Sequence, residues 1–292
     1  MKNKKYLVLG AGSFLGSSFL NSMKQLNYEI YGISNYQNDK FIVKSNYSLD
    51  SLNQILHDID PDVIYDFKLS KVSSNQNDFN DSFEIMFKSN QNIINSLKKF
   101  NKKIDLHLIS TSKLNNNLES PHPYLMLKKS QEFLYKKEFS ESTNLYIHRV
   151  ENVIGKGDLN FSRILPFFFG SSLVNKEVKF SSLSSFKRNY LTIEQFNHNL
   201  KEFNYITKKN INFNSMPLTN ELLISKAKFY LEQITKEKIL VYWENGSDSF
   251  EKYKNTNNSD REFLGIEGIA EWYVANKKYI TEKFNKFQGS FN

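Results

Sequence analysis

An α/β fold, with a doubly wound parallel sheet and a smaller, mostly C-terminal region beside it, is predicted by three observations. Short apolar runs alternate with helical patterns through the first half of the chain. A glycine-rich turn follows the first of these runs directly. The alternation then fades after Glu151. Strands that alternate with helices imply parallel neighbours joined by crossovers, and right-handed crossovers put helices on both faces of the sheet.

Tyr6–Leu9 is the first strand, and the helix that opens after the turn runs to about Gln25. Glu29–Ile33 and Phe41–Val43 are the second and third strands. A helix over Ser51–His57 leads through Pro61 into Asp62–Phe67, read as a buried strand whose two aspartates are not a paired-carboxylate site. A long helix over Asp81–Phe100 precedes the strand Leu106–Ile109, and a helix carrying Tyr124 precedes Leu145–Val150. Beyond Glu151 two further helices are expected, Leu218–Thr235 and Ile266–Tyr279, with a polar loop over Asn255–Asp260. The expected organisation is a dinucleotide-binding domain over 1–150, rejoined by about 188–210. A substrate-binding region would span 151–187 and 211–292.

Composition narrows the function. The 292 residues are 39% hydrophobic and 24% charged, with no cysteine, so thiolate chemistry and disulfides are excluded and a reducing, cytoplasmic setting is expected. The formal charge of +8 is spread among acids, as in Lys136-Lys137-Glu138, without a basic stripe interleaved with aromatics, so no nucleic-acid partner is expected. Lys2, Lys4 and Lys5 before an apolar stretch imitate a leader. Gly10, Gly12 and Gly16 interrupt that stretch and no small-x-small cleavage site follows, so it reads as the first folded element, and no membrane association is expected. The five histidines show no metal-ligand spacing, and no metal is expected. The run Phe167–Phe169 reads as core packing.

Two short motifs carry chemistry. Gly10-Ala11-Gly12-Ser13-Phe14-Leu15-Gly16 sits between a strand and a helix, where glycines let a pyrophosphate approach the amides of a helix N-terminus. The second strand ends in Ile33-Ser34-Asn35-Tyr36, with no carboxylate to bind a ribose 2′-hydroxyl or repel a 2′-phosphate. Ser34 and Asn35 can hydrogen-bond such a phosphate, which favours NADP, with NAD still open. Tyr124 and Lys128 share a helix face four residues apart. A cation about 4 Å from a phenol contributes about 4 kcal/mol at an effective dielectric of about 20. That lowers a tyrosine pKa by about 3 units and lets it exchange a proton with a carbinol or ketone.

The ordered set of glycine turn, Ser110-Thr111-Ser112 and Tyr124-x-x-x-Lys128 resembles the extended short-chain dehydrogenase/reductases, the NAD-dependent epimerase/dehydratase family of Rossmann enzymes that act on nucleotide-diphosphate sugars. Pro121–Tyr124 through Lys128 and Glu132, Arg149–Asp158, and Lys187–Ile193 resemble three further blocks of that family in order. The resemblance implies that Tyr124 is the acid/base, that Lys128 holds the nicotinamide ribose, and that Thr111 hydrogen-bonds the reacting oxygen, with Ser112 next in line at the substrate. It implies cofactor contacts from Gly10, Gly12, Ser13, Phe14, Leu15, Gly16, Ser34, Asn35, Asn46, Phe67 and Lys68. Asn152 and Arg188 would grip the substrate's diphosphate. Relatives are dimers through a four-helix interface, and the helices near 81–100 and 124–139 would supply one here.

Departures from the family select the reaction. Ser112 and Lys113 stand where sugar 4,6-dehydratases keep an Asp-Glu pair, and the cysteine of 3,5-epimerase/reductases is missing. Ser13 replaces a usual glycine. Asn115–Asn117 replaces a usual turn, and Lys68 replaces a small residue, there to reach a phosphate or to point to solvent. The segment Arg149–Asp158 and the short loop before Tyr124 resemble CDP-abequose and CDP-paratose synthases. The expected activity is therefore NADP-dependent reduction of the 4-keto group of a nucleotide-diphosphate deoxysugar. A nucleotide-sugar 4-epimerase with bound NAD, and a non-catalytic NADP-binding protein, are the alternatives.

Overall fold

A computed structural model describes residues 4–36, 39–68, 76–100, 102–115, 122–139, 143–180, 187–203, 213, 215–243 and 265–289. The chain divides into two compact units, one of residues 1–151 and 197–212, the other of 152–196 and 213–292. Residues 188–196, expected with the dinucleotide-binding part, fall in the second unit.

The first unit is built on six parallel strands in the order β3-β2-β1-β4-β5-β6. They are β1 (Lys5–Leu9), β2 (Glu29–Ser34), β3 (Ile42–Lys44), β4 (Val63–Asp66), β5 (Ile104–Thr111) and β6 (Thr143–Val150). Strand order reverses between β1 and β4, the switch point at which open α/β sheets bind ligands beyond the strands' carboxyl ends. Four helices connect the strands: α1 (Phe14–Gln25), α2 (Leu49–Ile59), α3 (Gln76–Phe100) and α4 (Pro123–Glu138). One face of α2 buries Leu52, Ile55, Leu56 and Ile59, the i, i+3, i+4, i+7 pattern of a helix lying on a sheet. Its apolar stripe joins Leu7, Leu9, Ile64, Leu106 and Leu108 of the central strands in one core.

The second unit holds a three-stranded sheet, β10-β9-β7, and a two-stranded one, β11-β8. The strands are β7 (Asn152–Ile154), β8 (Glu177–Phe180), β9 (Arg188–Thr192), β10 (Met216–Leu218) and β11 (Leu240–Trp243). Helix α5 (Ile164–Asn175) carries the phenylalanine run and buries Phe168 and Phe169 completely. Because it is apolar all round, it shows no 3.6-residue stripe by which sequence periodicity would find it. Helix α6 is Ile193–Lys201 and α7 is Asn220–Thr235. The single helix expected over Ile266–Tyr279 is two, α8 (Ile266–Ala275) and α9 (Lys277–Gly289). The chain leaves helical geometry at Asn276, whose amide caps α8 on Trp272 O. The expected loop over Asn255–Asp260, and Asn116 and Asn117, lie outside the described residues. Among the described residues no helix is long and apolar enough to cross a membrane.

Candidate active site

The glycine turn forms because β1 must reverse into α1 within a few residues. Gly10 takes φ +76°, a conformation that L side chains rarely adopt, and its carbonyl accepts from Ser13 N at 2.9 Å. A Cβ on Gly16 would lie 2.4 Å from Gly10 O, so only glycine lets α1 start this close to the strand. Ser13 stands at φ −80°, where no glycine is required, and its hydroxyl caps α1 by accepting from Gly16 N at 3.1 Å. The amides of Phe14 and Leu15 open the first turn, which has no intrahelical acceptors for them and favours an anion. These residues fit a dinucleotide's pyrophosphate.

The neighbouring strand ends are less uniform. Ser34 is buried and its hydroxyl accepts from Tyr36 N at 3.2 Å, whereas Asn35 is exposed. Exposed Lys44 pairs with Ser34 in the β2–β3 ladder, a cation that sequence reading missed because the contact depends on strand register. Asn46 is exposed and accepts from Ser48 N at 3.1 Å. Its neighbour Tyr47, buried at φ +59°, reaches the glycine turn instead, accepting from Gly10 N at 2.7 Å and donating to Ile33 O at 3.3 Å. Burial, with Asp66 nearby, pushes its phenol well up, so it stays neutral.

At the end of β4, Phe67 is buried against Phe19, with ring centroids 5.6 Å apart. Lys68 is 8% exposed, so it does not point to solvent. Its ammonium turns to α3, donating to Ser89 Oγ at 3.0 Å and to Asn90 Oδ1.

The start of α4 fixes Tyr124 and Lys128. His122 caps the helix by accepting from Tyr124 N at 3.3 Å, and Pro123 occupies the first turn, where its missing N–H costs nothing. Tyr124 is half-buried, and Lys128, one turn on, is only 4% exposed. The Lys128 ammonium donates to Ile109 O at 2.8 Å, Gln131 Oε1 at 3.2 Å and Lys68 O at 3.4 Å. Burial is the largest influence on it and lowers its pKa to about 8. Asp66 opposes that shift, Lys68 adds to it, and Glu132 opposes it.

Helix α4 packs on β5, whose last residues are Ser110 and Thr111. Thr111 is buried, and its hydroxyl accepts from Lys113 N at 3.4 Å. Ser110 donates to Glu132 Oε1 at 2.6 Å, and Arg149 grips the same carboxylate with two hydrogen bonds, at 3.0 and 2.7 Å. Burial raises the Glu132 pKa, but these bonds outweigh it and hold the group below the usual carboxylate range. The Arg149–Glu132–Ser110 bracket thus ties α4 to β5 and β6. Ser112 donates to Glu151 Oε2 at 2.7 Å, so a carboxylate from the end of β6 stands beside the strand end that by sequence holds only Ser112 and Lys113. No local signal in the sequence brings Glu151 to Ser112, because the contact depends on the β5–β6 register, in which Thr111 pairs with Val150.

Asn152 and Arg188 belong to the second unit. Asn152 pairs with Tyr190 across parallel strands, and Arg188 lies two residues before Tyr190, so all three share one sheet face. Arg188 is exposed, and the Asn152 amide donates to Asn189 O at 3.0 Å.

No curated protein matches the chain by sequence. Solved structures do share its fold. It is similar to dTDP-glucose 4,6-dehydratase from Bacillus anthracis in complex with NAD, at 18% identity and TM-score 0.70, covering 94% of this chain and 98% of that one. It is also similar to UDP-glucose 4-epimerase from Thermotoga maritima, at 16% identity and TM-score 0.69, covering 93% and 99%. L-threonine 3-dehydrogenase from Trypanosoma brucei is similar at 13% identity and TM-score 0.68, covering 94% and 97%. Residues 6–194 match the NAD dependent epimerase/dehydratase family, from the first strand through the glycine turn and Tyr124-x-x-x-Lys128 to the start of α6. The chain therefore belongs to the NAD dependent epimerase/dehydratase family, the NAD(P)-dependent enzymes of the extended short-chain dehydrogenase/reductase type.

Proposed function

We propose that the enzyme reduces the 4-keto group of a nucleotide-diphosphate deoxysugar, with NADPH as the reductant. The observation that carries this reading is the helix start that sets Tyr124 in the first turn of α4 with the buried Lys128 one turn on, packed on the strand that ends in Thr111. Tyr124 gives its proton to the developing alkoxide, Thr111 donates a hydrogen bond to the same oxygen, and Lys128 stabilises the phenolate left behind. A bound dihydronicotinamide supplies the hydride. Gly10, Gly12, Ser13, Phe14, Leu15 and Gly16 hold its pyrophosphate. Asn35 and the exposed Lys44, with no carboxylate at the end of β2, support a 2′-phosphate and hence NADP. Ser34 is buried in its own turn and contributes shape more than a contact.

Asn152 and Arg188 serve the substrate's diphosphate, where a planar guanidinium offers two parallel donors. Exposed Ile85 and Phe87 on α3, with Met126 and Phe133 on α4, support a homodimer through these helices. The cysteine-free chain suits the cytoplasm. A second reading, in which a carboxylate also moves a proton, as dehydration or epimerisation beside the carbonyl requires, is favoured by one observation, the Glu151 carboxylate bonded to Ser112.

The test is to supply NADPH with a panel of nucleotide 4-keto sugars and follow the reduced-nicotinamide absorbance. Oxidation with one sugar is the expected result. Interconversion of two nucleotide sugars without net oxidation would identify an epimerase, and silence throughout would indicate a non-catalytic NADP-binding protein.

A further inference from the structure

Two lysines are buried side by side in the first unit, and only one of them belongs to the family motif. Lys68 Nζ is enclosed by Ser89 and Asn90 of α3, and its own carbonyl accepts from Lys128. Asp66, the last residue of β4, is fully buried at 0% exposure. One of its oxygens accepts from Lys68 N at 2.8 Å. The other accepts from the Tyr135 hydroxyl at 2.7 Å and from Gln131 Nε2 at 3.1 Å.

That last bond fixes the sense of the Gln131 amide. A carboxylate only accepts, so the NH2 end of Gln131 must face Asp66 and its carbonyl must face Lys128, at 3.2 Å. The NH2 end also lies 3.5 Å from Asn90 Oδ1, the oxygen that accepts from Lys68. A closed circuit therefore runs Asp66–Gln131–Lys128–Lys68 and back to Asp66, through side chains and the backbone of residue 68. Both lysines and Gln131 are buried, so the circuit is shielded from water.

We propose that Asp66, Lys68 and Gln131 are positioning residues that hold the Lys128 ammonium in place and set how firmly it keeps its charge. The proposal rests on the reading that Lys128 acts beside Tyr124. The charges facing Lys128 are Asp66 from β4, Lys68 just beyond β4, and Glu132 from its own helix, the last already gripped by Arg149. Tyr47 and Tyr135 also border the cluster, and burial with Asp66 nearby pushes both phenols up, so they remain neutral. From α3, uncharged Ser89 and Asn90 contribute among the described residues. Burial also lowers the proton affinity of Lys68 itself, which Asp66 opposes. Asp66 and charged Lys68 act in opposite senses on the Lys128 ammonium, and a purely structural network would not read out their sign.

The experiment titrates Lys128 directly. The full chain is prepared with lysine carrying carbon-13 at Cε, whose chemical shift follows the charge, and Lys128→Met assigns the signal. The unsubstituted protein should titrate near pH 8. Asp66→Asn should weaken the proton affinity of Lys128 by roughly tenfold or more, and Lys68→Met should strengthen it by roughly tenfold or more, one pKa unit each way. Lys68→Met removes the charge with a side chain of similar volume and touches different partners from Asp66→Asn, Ser89 and Asn90 of α3, so each variant tests the proposal independently of whether the other folds. Shifts in the same direction, or no shift in folded Lys68→Met, overturn the proposal. The titration uses neither cofactor nor substrate. A chain that is silent with every sugar yet shows the opposed shifts would therefore refute the proposed activity alone.

Discussion

At Lys128 three acceptors satisfy the three N–H bonds of the ammonium, and burial still weakens its hold on the proton to a pKa of about 8. The direction has a consequence for catalysis. Below that value Lys128 carries the charge that, in the role proposed for it, makes Tyr124 a usable acid; as pH rises through it, the charge is lost. Turnover that depends on this charge should fall about tenfold per pH unit above roughly pH 8, seen in the pH profile of kcat/KM. Replacing Tyr124 by Phe should cut turnover by a factor on the order of 100 to 10,000 while NADPH affinity, read by fluorescence titration, stays within about twofold. Retained turnover would remove Tyr124 from the mechanism. Much of this residue set is legible in the sequence, because the spacing of Tyr124 and Lys128 and the order of the motifs are local facts. The partners are not: Asp66 lies 65 residues from Gln131, and Tyr47 lies 37 from Gly10. Such contacts exist only once the sheet is assembled.

At the scale of elements, β5 and β6 are joined by more than their ladder. His107 and His148 share a hydrogen bond of 2.8 Å between ring nitrogens inside the first unit. Tyr65 stacks on His107 at 4.5 Å, and Phe203 packs edge-on at 5.1 Å. Burial lowers the His148 pKa from 6.5 to about 4, and burial with His148 nearby puts His107 well below its usual value. In the window between those two values the unfolded chain binds a proton at His148 that the folded chain does not. Stability therefore falls as pH falls from about 6.5 through about 4, by on the order of 3 kcal/mol from His148 alone. Urea unfolding at both pH values should register this drop, and His148→Phe should lose correspondingly less; an equal loss in both proteins would contradict the assignment. The strands carrying these histidines are legible as apolar runs, but nothing local in the sequence pairs the two rings. Helix α5 was illegible for the opposite reason, since it is apolar on every side.

For the whole molecule, the alternating pattern of the first half predicts the doubly wound sheet. Six parallel strands in the order β3-β2-β1-β4-β5-β6 form it, with the glycine turn at the reversal of strand order. The second unit was harder to read because its strands are short, three to five residues, and its sheets draw on segments far apart in the chain. The single break at Asn276 also left no glycine or proline to announce it. The formal charge of +8 belongs to this scale as well, and suits an enzyme whose proposed cofactor and substrate are both polyanions. The central claim is hydride delivery to a sugar carbon. Its most direct test is to run the reaction with NADPH deuterated at both C4 positions of the nicotinamide and locate the label by mass and NMR. The account predicts one deuterium at C4 of the nucleotide sugar for each NADPH consumed. A sugar product that carries no label, or whose label lies elsewhere, would contradict it.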